Sequence, residues 1–465
     1  EAVLLKKNKS ISKQQLSNLK AQLYRQILSS LRIIKDDTNI DIRLHEQMDH
    51  ARILYNKGLY LQSLRALDRL KDMARDHNQL SYMQQALFFE KKIEALYITR
   101  SMQNRAEELS QESNEVNHAL MLINKLSNLS LQLYSWYIQH GHARNENDIK
   151  SIRLFFETSL PAEAAQAKGF YEKLYLYQSH CWYAFIRIDF LQYYRYCQRW
   201  VDHFEKNPDM IGVETASYIK GLHNLASAHF DLLNHEKLAD TIRKFEKFAR
   251  TKLVTQNDNN RILVYQYLYT ARINLYFLQG TFNKGLAMVP HLEEMLKQYG
   301  LYLDTHRVLV FYYKIACLYF GSGDNEKAID YLNRIINQRS GLRSDLQCYA
   351  RLLHLIAHYE LGNFDLLEYL IKSVYRYMSK MESLSKVEEE MFAFLRRSFH
   401  VGAHALKPEF EKLLHKLKKY ENNPLERRAF AYLDVISWLE SKINNVNVQD
   451  VIRERYKRRR GGDGS

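Results

Sequence analysis

The chain is predicted to be all-α, an α-solenoid of about nine antiparallel helical hairpins. Three observations lead there. The 465 residues include only 16 Gly and 5 Pro, so helix breakers are scarce and connections are short. Stretches such as "QQALFFEKKIEALYI" place apolar residues at a spacing near 3.6 rather than 2, as a half-buried helix requires. Helix-ending turns also recur at a steady interval.

The interval is clearest around "YKIACLYFGSGDNEKAIDYLNRI", Tyr313 to Ile335, where one apolar helix breaks at Gly323 and another begins. The same register marks Gly58, Gly141, Ile188, Leu233, Gly280 and Gly362. From Gly141 onward the steps are about 39 to 47 residues. The gap from Gly58 to Gly141 holds two steps, with a turn expected near Thr99, and a further unit is expected around Gly402 to Pro408. A single hairpin of this size cannot bury its own apolar faces, whereas a stack shares one continuous core. Gly at such a turn permits positive φ where the chain reverses.

In order along the chain, residues 1–40 are expected to form an N-terminal helix or cap, and 41–400 the repeat array. Residues 401–450 are expected as C-terminal capping helices, with one long helix opening at Pro424. Residues 451–465 are expected as a basic, flexible tail. Within the array, the polar stretch Gln103 to Asn117 either continues a long helix or loops out. Residues 381–400 carry acidic residues early and basic residues late, which complements a helix dipole.

Tyr312, Ile315, Ala316, Tyr319, Gly323, Ala328 and Leu332 run large, aliphatic, small, aromatic, turn Gly, small, large. This pattern resembles a tetratricopeptide repeat (TPR). Tyr269, Tyr276, Gly280 and Gly285 follow it in part, as do Leu225, Ala226, Ala51 and Ser63; Arg272, Leu238, Gln47 and His50 depart from it. The period is also longer than the usual 34 residues. The resemblance implies a superhelix whose first helices line a concave groove. By register the groove residues are Gln178, Trp182, His223, Ser227, Thr270, Asn274 and Tyr313, with Cys317 beside them. Of these only Asn274 suits the family's clamp for a peptide carboxylate. An extended or helical peptide held by aromatic and amide side chains fits better.

The net charge is +14, from 67 basic and 53 acidic residues. Part of the excess is local, in Arg453, Arg455, Lys457, Arg458, Arg459 and Arg460. Such a tail suits nucleic acid, anionic lipid or an acidic protein. Nucleic acid ranks below a protein or peptide partner, because basic residues in the Tyr-rich helices alternate with acidic ones. Cys181, Cys197, Cys317 and Cys348 sit in apolar helical runs without a CxxC pair, as buried thiols of a reducing, cytoplasmic compartment do. No membrane span is expected, and "EAVLLKKNKS" shows no signal-peptide pattern.

No catalytic constellation, metal site or cofactor is expected. No GxxxxGK[ST], GxGxxG or GxSxG occurs. His45 and His50 in "LHEQMDH" lie five apart, about 140° round a helix, and cannot share a metal. His354 and His358 share a face but lack a third ligand, and are read as packing residues. The function expected is a non-catalytic interaction scaffold. The alternative is a nucleic-acid-associated regulator using the basic tail and Tyr/Arg-rich surfaces.

Overall fold

The computed structural model describes residues 12–33, 39–97, 104–338, 343–381, 384–398, 406–421, 423, 426, 429–430 and 433–462, and no strand occurs among them. The chain divides into two compact units, residues 1–117 and 118–465. The expected turns near Thr99 and Gly402 lie outside the described residues.

The first unit contains α1 (Lys13–Ile33), α2 (Ile40–Asn56), α3 (Tyr60–Asp76) and α4 (Leu80–Tyr97). The polar stretch after Gln103 is helical: α5 (Arg105–His140) is continuous, and the division between the units falls within it. The α2–α3 hairpin approaches closely at two small residues. Ala51 and Ser63 are fully buried, and Ser63 Oγ donates to the Ala51 carbonyl at 2.7 Å.

Charge is also buried in this unit. Glu90 is fully buried and accepts from Lys71 Nζ at 2.5 Å and from Arg105. Removing the carboxylate takes away the closest partner of Lys71, whose side chain is 7% exposed, and leaves only Asp68 at 3.5 Å and Glu112 at 4.0 Å. Glu90→Ala is therefore expected to cost about 3 kcal/mol, the lower end for a broken buried pair, read as a lowered urea midpoint. Combining it with Lys71→Met should recover part of that loss.

The second unit continues with α6 (Glu146–Ser159), α7 (Phe170–Ile186), α8 (Phe190–Lys206), α9 (Asp209–Val213), α10 (Thr215–Asp231), α11 (His235–Ala249), α12 (Lys252–Thr255) and α13 (Asp258–Gln279). It goes on through α14 (Phe282–Leu286), α15 (Val289–Tyr299), α16 (Thr305–Ser322), α17 (Asn325–Ile336), α18 (Ser344–Glu360) and α19 (Phe364–Lys380). The last elements are α20 (Lys386–Ser398), α21 (Leu406–Lys418), α22 (Val435–Asn444) and α23 (Val448–Gly462). Pairs such as α7–α8, α10–α11, α16–α17 and α18–α19 pack as antiparallel hairpins, each on the next.

All seven described turn positions have positive φ: Gly58, Gly141, Ile188, Leu233, Gly280, Gly323 and Gly362. Most close by one mechanism. In the α10–α11 turn, Leu233 N donates to Phe230 O at 2.9 Å and Asn234 N to His229 O at 2.8 Å. These satisfy the last carbonyls of the helix. The residue after the left-handed one then caps the next helix. Asp189, Asn234 and Asp324 accept from the backbone N–H of Gln192, Lys237 and Lys327 at 3.1, 3.2 and 3.1 Å. One polar residue thus finishes one helix and starts another.

Between hairpins, aromatic side chains fill the layers. Tyr193, Trp200, Phe204 and Phe245 form one buried cluster, and Phe311, Tyr349, Phe392, Phe394 and Trp438 another. Small residues admit them: a Cβ at Gly221 would stand 3.1 Å from Trp200 Nε1. The thiols match this role. Cys181 and Cys197 are fully buried with their sulfurs 3.6 Å apart.

Pro424, where the last long helix is expected to open, lies outside the described residues. Among the described residues α22 begins at Val435, where Asp434 accepts from Ser437 N at 3.0 Å. The C-terminal region differs from expectation once. The basic segment is not a flexible tail through its described length. It is helical to Gly462 as α23 and docks on the hairpin turns. Arg453 donates to the Gly280 carbonyl at 3.1 Å, Arg455 pairs with Glu440 at 2.6 Å, and Tyr456 packs on His235 with ring centroids 4.8 Å apart. Two of the six cations are thereby held by the array itself. Lys457, Arg458 and Arg459 remain exposed, and the Arg460 side chain and residues 463–465 lie outside the described residues.

Candidate functional site

The second unit curls until its early and late helices meet. Arg307 of α16 reaches the Tyr134 hydroxyl of α5 at 3.5 Å. Arg343, next to α18, lies 5.3 Å from the Tyr137 ring centroid. Arg144 donates to the Met381 carbonyl at 3.2 Å. The first helices of successive hairpins therefore face a shared interior.

Helical spacing sets what they present there. Lys220, His223 and Ser227 fall on one face of α10 at i, i+3 and i+7, and Tyr267, Thr270 and Asn274 do the same on α13. Gln178 and Trp182 come from α7, Arg307 and Lys314 from α16.

These side chains form one connected surface. Gln178 bridges Ser130 (3.4 Å) and Ser217 (3.3 Å). The Trp182 ring lies 4.7 Å from that of Tyr134, and Lys220 Nζ sits 4.4 Å from the Tyr134 centroid and 5.4 Å from Trp182. His223 stacks on Tyr267 at 4.2 Å. Arg307 covers the same tyrosine ring at 5.0 Å and donates to its hydroxyl at 3.0 Å. With its oxygen turned toward Arg307, the Gln266 amide accepts at 2.7 and 2.9 Å. Lys314 Nζ donates to Asn274 Oδ1 at 2.6 Å.

Of the predicted groove residues, Gln178, His223 and Ser227 are half-buried. Trp182, Thr270, Asn274 and Tyr313 are buried rather than exposed. Trp182 packs in a core cluster with Leu129, Leu133 and Phe156, and Asn274 is covered by Lys314 of the next hairpin. Tyr313 is buried for another reason: it faces the hydrophobic core, and its neighbour Lys314, about 100° further round the helix, points inward instead. Thr270 Oγ1 bonds back to the Gln266 carbonyl of its own helix at 2.8 Å. Sequence reasoning missed Tyr134, Lys220, Tyr267, Arg307 and Lys314. The available signal was helical spacing, since Lys220 and Tyr267 each precede a predicted groove residue by three positions.

Burial shapes the electrostatics. It pushes Lys220 down to about 8, with Arg307 adding to the effect. It also pushes Lys314 down to about 8, opposed by Cys317 and Asp231. His223 is held well below the usual imidazole range by burial and then by Arg307, Lys314 and Lys220. Asp231 rises to about 7 through burial, with Lys314 opposing.

Among the described residues, no group of three His, Cys, Asp or Glu side chains is placed to hold a metal, and no helix is long and apolar enough to cross a membrane. His354 and His358 face each other with Nε2 atoms 3.3 Å apart in a buried position. No family model matches the chain, and no curated protein matches it significantly.

Proposed function

We propose that this protein is a non-catalytic interaction scaffold, a TPR-like array that binds a partner protein or peptide on the inner face of residues 118–465. One observation carries this reading. Consecutive first helices α7, α10, α13 and α16 direct amides, aromatic rings and cations to one surface, joined by contacts from Gln178 through Trp182 and Tyr267 to Lys314. A continuous surface of mixed aromatic and polar groups gives a peptide both anchors and hydrogen-bond partners.

The test is co-purification from native lysate with mass spectrometry, comparing the wild type with Ser227→Arg, which fills the inner face at a half-buried site. The expected result is a protein retained by the wild type and lost from the variant. Recovery of no protein above background would end this reading. A nucleic-acid role draws on exposed Lys457, Arg458 and Arg459. It requires a gel shift at micromolar protein that weakens steeply with salt and vanishes on deletion of residues 453–465.

A further inference from the structure

We propose that the inner face of residues 118–465 is an oxyanion site for a phosphate-type group carrying at least two negative charges, centred on Lys220, Arg307 and Lys314. This rests on the reading of that face as the binding surface and names the chemistry it selects.

The first observation is charge balance. Lys220 makes no ion pair among the described residues; its ammonium lies over the Tyr134 and Trp182 rings. Lys314 has the neutral Asn274 amide as its hydrogen-bond acceptor. Arg307 has hydroxyls and an amide, with Asp304 3.8 Å away, 65% exposed and already accepting from the Arg307 backbone N–H. Asp231 is the one further carboxylate acting on Lys314. Cations withdrawn from water this far are costly unless a counter-charge joins them.

The second observation is the donor set. Arg307 brings a guanidinium, the two lysines bring ammonium groups, and Tyr134 and Tyr267 bring hydroxyls. Lys314 occupies Asn274 Oδ1, which leaves that amide its NH₂ to donate. Nδ1 of His223 is shielded from solvent and has no hydrogen-bond partner. Burial, then Arg307, Lys314 and Lys220, hold this ring below the usual imidazole range. Arg307 and Lys314 stand two helical turns apart, about 10 Å. That length suits a diphosphate or a phosphoryl group with a second anionic group, rather than a lone chloride.

The experiment is isothermal titration of the whole chain with sodium pyrophosphate, ionic strength being held constant with sodium chloride. Phosphoserine peptide and its unphosphorylated form are separate arms. Saturable binding is expected, weakened roughly tenfold or more in Lys220→Met and in Lys314→Gln and unchanged in the outer-face variant Lys372→Gln. A second readout separates ligand binding from structure. Because Lys220 is half-buried without a counter-ion, Lys220→Met is expected to melt no lower than the wild type while losing its thermal response to pyrophosphate. Response to pyrophosphate alone assigns the site to a free small anion; response to phosphopeptide alone assigns it to a group carried by a peptide. No response to either, an equal response to malonate, or wild-type binding by Lys220→Met would overturn the proposal. A protein captured from lysate without any phosphate effect would sink this inference and leave the scaffold reading standing. Pyrophosphate binding with no captured protein would do the reverse.

Discussion

Between pH 6.5 and 4 the unit formed by residues 118–465 is expected to lose several kcal/mol of stability. Three buried histidines drive the loss: His229, His306 and His354, at 3%, 8% and 9% exposure. Burial lowers His229 to about 4, with Lys237 adding to it. Burial lowers His306 to about 3, helped by Arg343 and Arg307. Burial lowers His354 to about 4, helped by His358 and Arg351. In the unfolded chain each protonates near 6.5. Below that pH the unfolded state binds more protons than the native state, so stability falls with pH until the native pKa values are reached. The full shift is worth about 3–5 kcal/mol for each histidine. Asp231 opposes this. Its native pKa of about 7 means the folded chain gains protons first, which adds stability as pH falls toward the unfolded value near 3.8. Three groups outweigh one. Melting followed by circular dichroism at pH 7.5, 6, 5 and 4 should show a steep decline, shallower in His354→Gln. A flat melting temperature across that range would refute the assignment of these rings as neutral and buried.

Most of the fold was legible because its turns follow one local rule. The register located left-handed residues even at Ile188 and Leu233, where no glycine signals them. There the following Asp189 or Asn234 carries the signal, since it must cap the next helix. The binding face was less legible. Knowing that α16 is a helix does not say which side of it faces inward. A rotation of one residue exchanges Tyr313, which packs in the core, for Lys314, which meets Asn274. Nor does local spacing reveal closure: Arg307 and Tyr134 lie 173 residues apart in the chain. The docking of α23 is hidden for the same reason. Its composition is that of a solvated basic segment, yet the carbonyl of Gly280, the hydroxyl of Ser437 and the carboxylate of Glu440, all distant in sequence, give two of its arginines fixed partners.

That docking makes Gly280 the turn at which a methyl group should matter most. Gly280 and Gly323 both have left-handed backbone, with φ of 60° and 93°. Their surroundings differ. A Cβ at Gly323 meets nothing within 4 Å, whereas one at Gly280 falls 2.5 Å from both Arg453 N and Gln449 O. Gly323→Ala therefore costs only the backbone preference, about 1 kcal/mol. Gly280→Ala must also push away the backbone of α23, which cannot swing aside as a side chain can. It is expected to cost at least twice as much and to release α23 from the hairpin turns. Limited trypsin digestion should then cut at Arg453 and Arg455 in Gly280→Ala while both sites stay protected in the wild type and in Gly323→Ala. Deleting residues 448–465 removes the clash, so in that background the two alanine variants should cost the same. A Gly280→Ala penalty that stays larger after the deletion would place the strain within α13 and α14 instead of against α23.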